Sequence, residues 1–573
     1  MIAVRTLYRL MSGKRRRQLL FVFALMILGV LADLVTIGAV VPFLASAAGA
    51  EPHGQVPGGL GLRAFGPDPL LDAAILLTAA AIAAAAIRLL LTRMSQALIA
   101  DVGHDLAVAI FSRALRQDYP EHSRRHSSEV LGGLEKAQAV TNGMLLPMLQ
   151  AAIGMTTAAF VTSLLFFIDP VATALAAGAV LLAYVIVASL NRGTIRANSR
   201  VIARMVSLRT KTVQESLGAI RDIILDGSHA AAEARFNELD RQRRDAVSRN
   251  AVVAASPRFL LEAIGVIALA GLTLLVSRRP GGVVEAIPTL GALAVGIQRL
   301  LPAIQQAWHG LSSSAGNLQS LLDVAALIEK PLPEPVHAAP LPFEDRIALV
   351  DLCFSYGAGA GADAVRGVSL EIPRGARVGI GGPTGSGKST LIDLLMGFVT
   401  PSSGSIRIDG RPLDRSNLLS WQAGLTHVPQ SIFLADDSIA ANIALSRAGP
   451  VDRDRVRAAA TAACLDEFLA TLPDGLETRV GERGTRLSGG QRQRIGIARA
   501  LYREAQVLIL DEATNALDEA TEDAVLAPIV APEAGRTVFI VSHRPAVLAR
   551  CDFTIRLLNG LFEPQRAGAA RRA

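Results

Sequence analysis

The sequence predicts a chain of two structural classes: an α-helical membrane domain with six transmembrane helices, followed by a soluble α/β domain. The composition points to a membrane part, because 51% of the 573 residues are hydrophobic and only 19% are charged. Long apolar runs alternate with Arg-rich stretches up to about residue 305 but not after about residue 340. That later part contains a glycine-rich loop between an apolar strand and a helix. We expect a membrane domain over residues 1–328, a Pro-rich linker over residues 329–346 and a soluble domain over residues 347–573.

Six apolar segments are long enough to cross a hydrocarbon core as helices, which takes about 20 residues. The first follows the basic stretch KRRR and is longer than the apolar core of a signal peptide, so we expect it to remain as a spanning helix. The tight turn IDPV joins the third segment to the fourth, which predicts an antiparallel pair. The six segments cover residues 18–44, 70–95, 146–168, 170–190, 259–277 and 284–304.

The charge of the connecting stretches predicts their side of the membrane. The N-terminus and residues 93–136 and 192–258 are rich in Arg and Lys, whereas Arg63 is the only Arg or Lys among residues 45–69. Because positively charged loops stay on the cytoplasmic side, both termini are expected in the cytosol. Arg278 and Arg279 break this pattern, although a short outer hairpin can carry two snorkelling arginines. Orientation in a membrane also explains the net charge of +7, so we expect no nucleic acid as partner.

Two basic cytoplasmic stretches have the three- and four-residue apolar spacing of helices, so they should extend the membrane helices into the cytosol. Their turns lie around residues 120–131 and 214–227. These turns either dock onto another domain or end solvated hairpins without a partner. The three cysteines have the spacing of neither a disulfide framework nor a zinc site, which suits a reducing cytosol.

The glycine-rich loop has the pattern GxxxxGK(S/T) over residues 382–389, within ARVGIGGPTGSGKSTLIDLLMGF. Backbone N–H groups of such a loop point at phosphate oxygens at a positive helix end. Lys388 would contact the β and γ phosphates and the Ser389 hydroxyl would ligate Mg²⁺, which predicts ATP and Mg²⁺ as cofactors. The candidate nucleotide-binding residues of this segment are Gly382, Pro383, Thr384, Gly385, Ser386, Gly387, Lys388, Ser389 and Thr390.

Two carboxylates end a later apolar strand, residues 507–510, in AQVLILDEATNALDEA. Asp511 is suited to hold Mg²⁺ through water. Glu512 is suited to accept a proton from the water that attacks the γ-phosphate, or to orient that water. Acidic pairs are also common in ordinary loops, but this pair follows a buried strand and lies downstream of a phosphate loop.

The stretch LSGGQ, between these two motifs, resembles the signature of ATP-binding cassette (ABC) transporters, which binds ATP held by the opposite subunit. The resemblance implies an α/β P-loop nucleotide-binding domain, with Ser488, Gly489, Gly490 and Gln491 at the nucleotide. Other motifs of the family match in order. They are Tyr356 for stacking on adenine, Gln430 in HVPQ, Asp518 in NALD and His543 in VSHR. The resemblance implies that Gln430 and His543 are catalytic. It also implies that Gln430 is a metal ligand together with Ser389 and Asp511.

One residue departs from the family pattern: Asn515 stands where the family usually has Ser, and this small departure puts none of the catalytic roles in doubt. Because the family's signature faces a phosphate loop of another subunit, the resemblance also implies a homodimer with two composite ATP sites. Each site would contain its own Glu512 and be competent for hydrolysis.

Six membrane segments fused to one C-terminal cassette are typical of exporter-type half-transporters. TRVGERG, residues 478–484, resembles a stretch that contacts the cytoplasmic loops in exporters, and the two cytoplasmic turns resemble coupling helices. The long apolar segments exclude the soluble ABC proteins of DNA repair or translation. A channel or regulator on the same scaffold stays open as an alternative.

Charged residues inside the membrane segments indicate the substrate, because facing lipid would be costly for them. Asp33, Arg88, Arg258, Glu262 and Arg299 either face the interior or snorkel to an interface, and Asp33 with Arg88 is also explained as a structural ion pair. Three arginines against two carboxylates leave positive charge that suits an anionic lipid, especially a pyrophosphate.

The membrane half also resembles bacterial flippases for lipid-linked oligosaccharides, in SPRFLLEAIG, in GIQRLLPAI and in the acidic residue before AVVPFL. This resemblance implies ATP-driven flipping of a polyprenyl pyrophosphate-linked oligosaccharide across a bacterial inner membrane, with Arg88, Arg258 and Arg299 as candidate substrate residues. Export of another lipid, a hydrophobic drug or a peptide is the alternative.

Overall fold

The computed structural model describes residues 2–47, 69–124, 126–168, 170–277, 282–332, 338–356, 363–445, 450–531, 535–558 and 560–566. The chain divides into two compact units. The first comprises Met1–Gln117 and Glu121–Pro333, and the second comprises Asp118–Pro120 and Glu334–Ala573.

The N-terminal part of the chain is helical. Five of the six predicted membrane segments lie within longer helices, and the third, residues 146–168, coincides with a helix of the same bounds. A π-helical turn, Thr141–Leu145, separates the helix Ser127–Val140 from the helix Leu146–Ile168. The two cytoplasmic turns contain the short helices α4 and α8, and Asp169 of the IDPV turn lies outside the described residues. The helices are α1 (Ile2–Leu10), α2 (Gly13–Ala47), α3 (Pro69–Leu115), α4 (Tyr119–Arg124), α5 (Ser127–Val140), α6 (Leu146–Ile168), α7 (Pro170–Gly218), α8 (Ile220–Asp226), α9 (His229–Ser277), α10 (Gly282–Gly316) and α11 (Leu318–Ile328).

Apolar side chains cover the outside of these long helices. Leu89 of α3 is 73% exposed, and Leu181 and Leu190 of α7 are 66% and 74% exposed. Within the described part of the chain, Leu70–Leu115 and Ser127–Ser163 are long and apolar enough to cross a membrane, and only 11% of the most apolar window in the first is buried. Apolar side chains over such an area are costly in water and stable against lipid. Helices tolerate lipid because they satisfy their own backbone polar groups.

Reciprocal glycines let α6 and α10 approach closely. A Cβ atom on Gly154 of α6 would lie 2.3 Å from the carbonyl oxygen of Ala303 on α10. A Cβ atom on Gly310 of α10 would lie 2.1 Å from the carbonyl oxygen of Pro147 on α6. Neither position has room for a side chain, so the two backbones pack in direct contact, as small residues allow in membranes.

Helix α9 runs through Pro257, although proline has no N–H to donate to the carbonyl four residues earlier, that of Val253. The indole Nε1 of Trp308 on α10 donates to this carbonyl oxygen at 3.2 Å. The carbonyl freed by Pro257 is therefore satisfied by a side chain of a neighbouring helix, which stabilises the proline-containing helix.

The second unit contains two sheets. The first is antiparallel, in the order β2-β1-β4-β5. The second has the order β10-β9-β3-β8-β7-β6, in which β9, β3, β8, β7 and β6 run parallel and β10 is an antiparallel edge. The strands are β1 (Arg346–Phe354), β2 (Val365–Pro373), β3 (Arg377–Gly381), β4 (Ser403–Ile408), β5 (Arg411–Pro412), β6 (Leu425–Val428), β7 (Val507–Asp511), β8 (Thr537–Val541), β9 (Phe553–Leu558) and β10 (Leu561–Arg566).

The parallel strands β3, β7 and β8 are almost wholly buried because the sheet carries apolar residues on both faces, as parallel sheets do. One apolar cluster lies on each face. Loops at the carboxyl ends of adjacent parallel strands meet at one edge, which is where α/β proteins bind ligands. The helices of this unit are α12 (Lys388–Leu395), α13 (Leu418–Ala423), α14 (Ile439–Ile443), α15 (Arg453–Ala462), α16 (Asp466–Ala470), α17 (Gly489–Tyr502), α18 (Glu519–Val530) and α19 (Pro545–Leu548).

Candidate functional site

The phosphate loop connects β3 to α12 and depends on glycine conformations. Gly382, Gly385 and Gly387 have φ values of 143°, 81° and 101°, which side chains rarely adopt. A Cβ atom on Gly387 would also lie 2.1 Å from the carbonyl oxygen of Ala364. The sequence therefore needs glycine here for both backbone shape and space.

Lys388 lies at the start of α12 and curls back over the loop. Its Nζ donates to the carbonyl oxygens of Gly382 and Pro383 at 2.8 and 2.9 Å, and the side chain is 8% exposed. Ser386 has a buried hydroxyl without a hydrogen-bond partner among the described residues. A cradle of glycines with a lysine folded over it and an unsatisfied hydroxyl fits a phosphate chain.

Asp511 ends β7 in a half-buried position. Burial raises the pKa of its carboxyl group, the neighbouring Glu512 raises it further, and Lys388 opposes the shift. Burial, followed by the charge of Asp511, raises the pKa of Asp393 on α12 to about 6. A partly desolvated carboxylate such as that of Asp511 suits a divalent cation, which prefers oxygen ligands. Asp511 and the Ser389 hydroxyl are therefore the groups that would hold Mg²⁺.

The Glu512 carboxylate is held by three side chains. Gln430 Nε2 and Asn515 Nδ2 donate to its Oε2 at 2.8 and 2.9 Å. His543 Nε2 lies 2.9 Å from its Oε1. Glu512 itself has φ of 50°, an uncommon conformation that marks a turn directly after β7. The geometry leaves a partly exposed, oriented carboxylate that is able to accept a proton.

Tyr356 follows β1 and is 64% exposed. Its hydroxyl lies 3.1 Å from Thr390 Oγ1, and its ring stands edge-on to Phe354 with centroids 4.9 Å apart. The exposed aromatic ring therefore lies beside the helix that carries Lys388, where it is available for stacking on a base.

The LSGGQ stretch begins α17. Ser488 caps this helix, because its hydroxyl accepts from Gln491 N and the Gln491 side chain accepts from Ser488 N. A Cβ atom on Gly489 or Gly490 would lie 3.4 or 3.1 Å from an atom of Ala516, in the loop after Glu512. The LSGGQ signature therefore packs against the loop that follows Glu512 in the same chain.

The candidate substrate residues have different outcomes. Arg88 forms an ion pair with Asp33, the structural alternative that the sequence left open. Arg258 is exposed on α9 and has contacts of its own. The side chains of Glu262 and Arg299 lie outside the described residues.

Sequence reasoning missed three polar residues near the site. Asn515, which the sequence showed only as a departure from the family pattern, contacts Glu512. The pKa of Asp393 is raised by burial first and by the charge of Asp511 second. Gln493 accepts from Ala516 N at 2.9 Å and so ties α17 to the loop after Glu512. The departure of Asn515 from the family pattern was the one available signal.

Comparison with known proteins agrees with both halves of the chain. The ABC transporter family profile matches residues 365–515. The ATP-dependent lipid A-core flippase of Burkholderia pseudomallei strain 1710b is 32% identical over 471 residues, which cover 80% of this chain and 76% of the relative. The protein of the same description from Cupriavidus metallidurans is 34% identical over 365 residues, or 62% of this chain and 60% of the relative.

Among solved structures, a bacterial Atm1-family ABC exporter with ATP bound has the same fold. It aligns with a TM-score of 0.78 and 24% identity, over 97% of this chain and 96% of the exporter. The match spans a membrane domain and a nucleotide-binding domain on one chain, as predicted. With the phosphate loop, the acidic strand end and the signature helix all in place, the chain belongs to the ABC transporter family, as an exporter-type half-transporter whose ATPase is coupled to transport.

Proposed function

We propose that two copies of the chain form a homodimer in a bacterial inner membrane and flip a lipid-linked glycan from the cytoplasmic to the outer leaflet. ATP hydrolysis at two composite sites drives the transport. The substrate we propose is a polyprenyl pyrophosphate-linked oligosaccharide. Both termini and the nucleotide-binding domains are cytoplasmic in this proposal.

In the ATP site, Lys388 and the loop amides bind the phosphates, Ser389, Gln430 and Asp511 hold Mg²⁺, and Tyr356 stacks on adenine. Glu512 accepts the proton of the attacking water, and His543 and Gln430 complete the catalytic set. Bound Mg²⁺ supplies neutralisation of the phosphate charge. Ser488, Gly489, Gly490 and Gln491 serve the nucleotide held by the partner subunit.

The observation that carries the substrate proposal is a cavity inside the membrane domain, whose largely apolar wall also carries several polar side chains. It measures about 640 Å³ and is lined by residues of α2, α3, α6 and α10. One face of α3 presents Arg88, Thr92 and Gln96 at intervals of four residues. Asp33 of α2, which forms the ion pair with Arg88, lines the same cavity. Ser95 also lines the cavity, and its buried hydroxyl has no hydrogen-bond partner among the described residues. Side chains that would be costly against lipid instead surround a space of headgroup size.

Glutamines dominate the polar lining of this cavity. An amide offers both donors and acceptors, as sugar hydroxyls and N-acetyl groups require. The Asp33–Arg88 pair leaves these two charges balanced, so the cavity suits an uncharged glycan better than a free anion. The phosphates then depend on Arg258 and Arg299. The glutamines are Gln96, Gln150, Gln298 and Gln306.

The curated relatives support the lipid class, because they are described as ATP-dependent lipid A-core flippases. They also favour a second candidate, a glycolipid of the lipid A-core kind. A hydrophobic drug agrees less well with the four glutamines of this cavity, since a drug would give their amides no hydrogen-bond partners.

The test is transport in proteoliposomes that contain a fluorescent lipid-linked oligosaccharide, a fluorescent lipid A-core or a polyprenyl pyrophosphate without glycan. The wild type should move the first substrate with ATP. Gln150→Leu and Gln306→Leu should slow it by roughly tenfold, since the glycan loses hydrogen bonds to the cavity wall, and should leave the glycan-free lipid unaffected. Gln138→Leu, an exposed change on α5 away from the cavity, is the matched control.

Two results decide against the proposal. Preferential movement of lipid A-core would establish the second candidate. ATP hydrolysis without movement of any lipid would instead identify a channel or regulator on the transporter scaffold.

Arg88 has a separate test. Arg88→Ala leaves Asp33 unpaired in the membrane, so lost transport alone does not distinguish substrate binding from structure. The charge-exchanged pair Asp33→Arg with Arg88→Asp restores the ion pair. Recovery of transport in this double variant assigns Arg88 a structural role, and continued loss supports contact with the substrate.

A further inference from the structure

The Glu512 carboxylate is held by donors of two kinds. Gln430 follows β6 and His543 follows β8, so both reach Glu512 from other strands of the sheet. Asn515 belongs to the same turn as Glu512 and donates from three residues further along the chain. A donor in the same turn moves together with the carboxylate, whereas donors that follow other strands can move independently of it.

Gln430 and His543 also have other tasks in the proposed ATP site, at Mg²⁺ and at the phosphate. A side chain that moves to those ligands no longer holds Glu512. The proposed ATP site gives Asn515 no second ligand, so among the three described donors it is the one that can stay on the carboxylate through the reaction.

The backbone fixes the place of Asn515 on both sides. Asn515 N donates to the Glu512 carbonyl oxygen at 3.3 Å, and the next residue, Ala516, donates to Gln493 of α17 at 2.9 Å. Asp518 then caps α18 by accepting from Thr521 N at 2.9 Å. With the backbone held at these points, the Asn515 amide is directed at Glu512.

We propose that Asn515 is a positioning residue for hydrolysis, which holds the Glu512 carboxylate in the orientation that accepts the proton of the attacking water. The inference rests on the role of Glu512 proposed above. A Ser in this place has its hydroxyl directly on Cβ, one bond closer to the backbone than the Asn amide nitrogen, so it does not reach Glu512 in the same way. The departure from the family pattern therefore gives this chain an additional contact to its general base.

The experiment compares Asn515→Asp, Asn515→Ala and Asn515→Ser in the purified full chain, with phosphate release and binding of a fluorescent ATP analogue as readouts. Asn515→Asp keeps the shape but replaces the donor by a charge that repels Glu512. It should lower kcat more than tenfold, and Asn515→Ala and Asn515→Ser by roughly threefold to tenfold, with KM for ATP and analogue binding unchanged. Asn237→Asp, at an exposed position on α9, controls for the added charge.

The outcomes separate the two assignments. A kcat within twofold of wild type for Asn515→Asp overturns the positioning role, and so does a loss that appears in KM or in analogue binding. If Glu512→Gln itself keeps near-normal turnover, the role of Glu512 is wrong and the inference fails with it. A slow Glu512→Gln enzyme combined with an unaffected Asn515→Asp enzyme rejects the role of Asn515 alone.

Discussion

At the scale of single residues, Glu512 is the group on which turnover should depend. Glu512→Gln should keep ATP binding and lower hydrolysis by about a hundredfold or more, because an amide does not accept the proton. Lys388→Ala should instead weaken nucleotide binding, since it removes the cation folded over the phosphate loop. Phosphate release and binding of a fluorescent ATP analogue distinguish these effects. Near-normal turnover of Glu512→Gln would show that another group accepts the proton.

His427 on β6 makes a residue-scale prediction about pH. Burial lowers its pKa to about 4, and its Nε2 has no hydrogen-bond partner among the described residues. The folded state therefore binds a proton less readily than the unfolded state, with a His pKa of about 6.5. The nucleotide-binding domain should be fully stabilised above pH 6.5 and lose up to roughly 3 kcal/mol as the pH falls from 6.5 to 4.

The measurement for His427 uses Cys551, which is 3% exposed and becomes reactive when this domain unfolds. Urea-dependent labelling of Cys551 by a pyridyl disulfide, followed by mass spectrometry of its peptide, gives the unfolding free energy at each pH. His427→Gln should flatten the pH dependence. An unchanged slope in this variant would assign the acid sensitivity to other groups.

At the scale of elements, the direct contact of α6 with α10 predicts a strong effect of a single methyl group. Gly310→Ala places Cβ against the Pro147 carbonyl and should cost about 1–3 kcal/mol through overpacking. Gly193→Ala on α7 is the matched control, since nothing lies within 4 Å of its Cβ position. The temperature at which the purified protein loses its monodisperse gel-filtration peak should fall for Gly310→Ala only. Equal behaviour of both variants would contradict the close packing.

The elements also show which parts of the fold were predictable. Six apolar runs predicted six long helices because a membrane span has a fixed minimum length, and the short α4 and α8 lie at the turns between the cytoplasmic extensions. The passage of α9 through Pro257 was not predictable from the local sequence. It depends on Trp308, whose indole satisfies the freed carbonyl from 55 residues away.

At the scale of the whole molecule, the proposed homodimer can be tested with a mixed dimer of two variants. Lys388→Ala damages the phosphate loop and Gly489→Asp damages the signature, so each variant alone should be inactive. Two differently tagged chains, one with each change, form a mixed dimer. If the sites are composite, one site carries both lesions and the other is intact, so the mixed dimer should hydrolyse ATP at up to about half the wild-type rate.

The same experiment has a clear opposite result. If each chain formed a complete ATP site by itself, both sites of the mixed dimer would carry a lesion, and the purified mixed dimer would be as inactive as the single variants. Two-step affinity purification on the two tags removes the parent homodimers before the measurement.

The sequence alone determined the two-part architecture, the ABC family and the residues of the phosphate loop, the acidic strand end and the signature. These features are contiguous, because apolar length sets a membrane helix and backbone shape sets a phosphate loop. The tertiary structure decided the rest. Glu512 is held by Gln430 from 82 residues away, the glutamines of separate helices line one cavity, and the Asp33–Arg88 ion pair, which the sequence offered only as one alternative, is formed. Packing brings such groups together, and a local stretch of sequence has no signal for a partner that only packing selects.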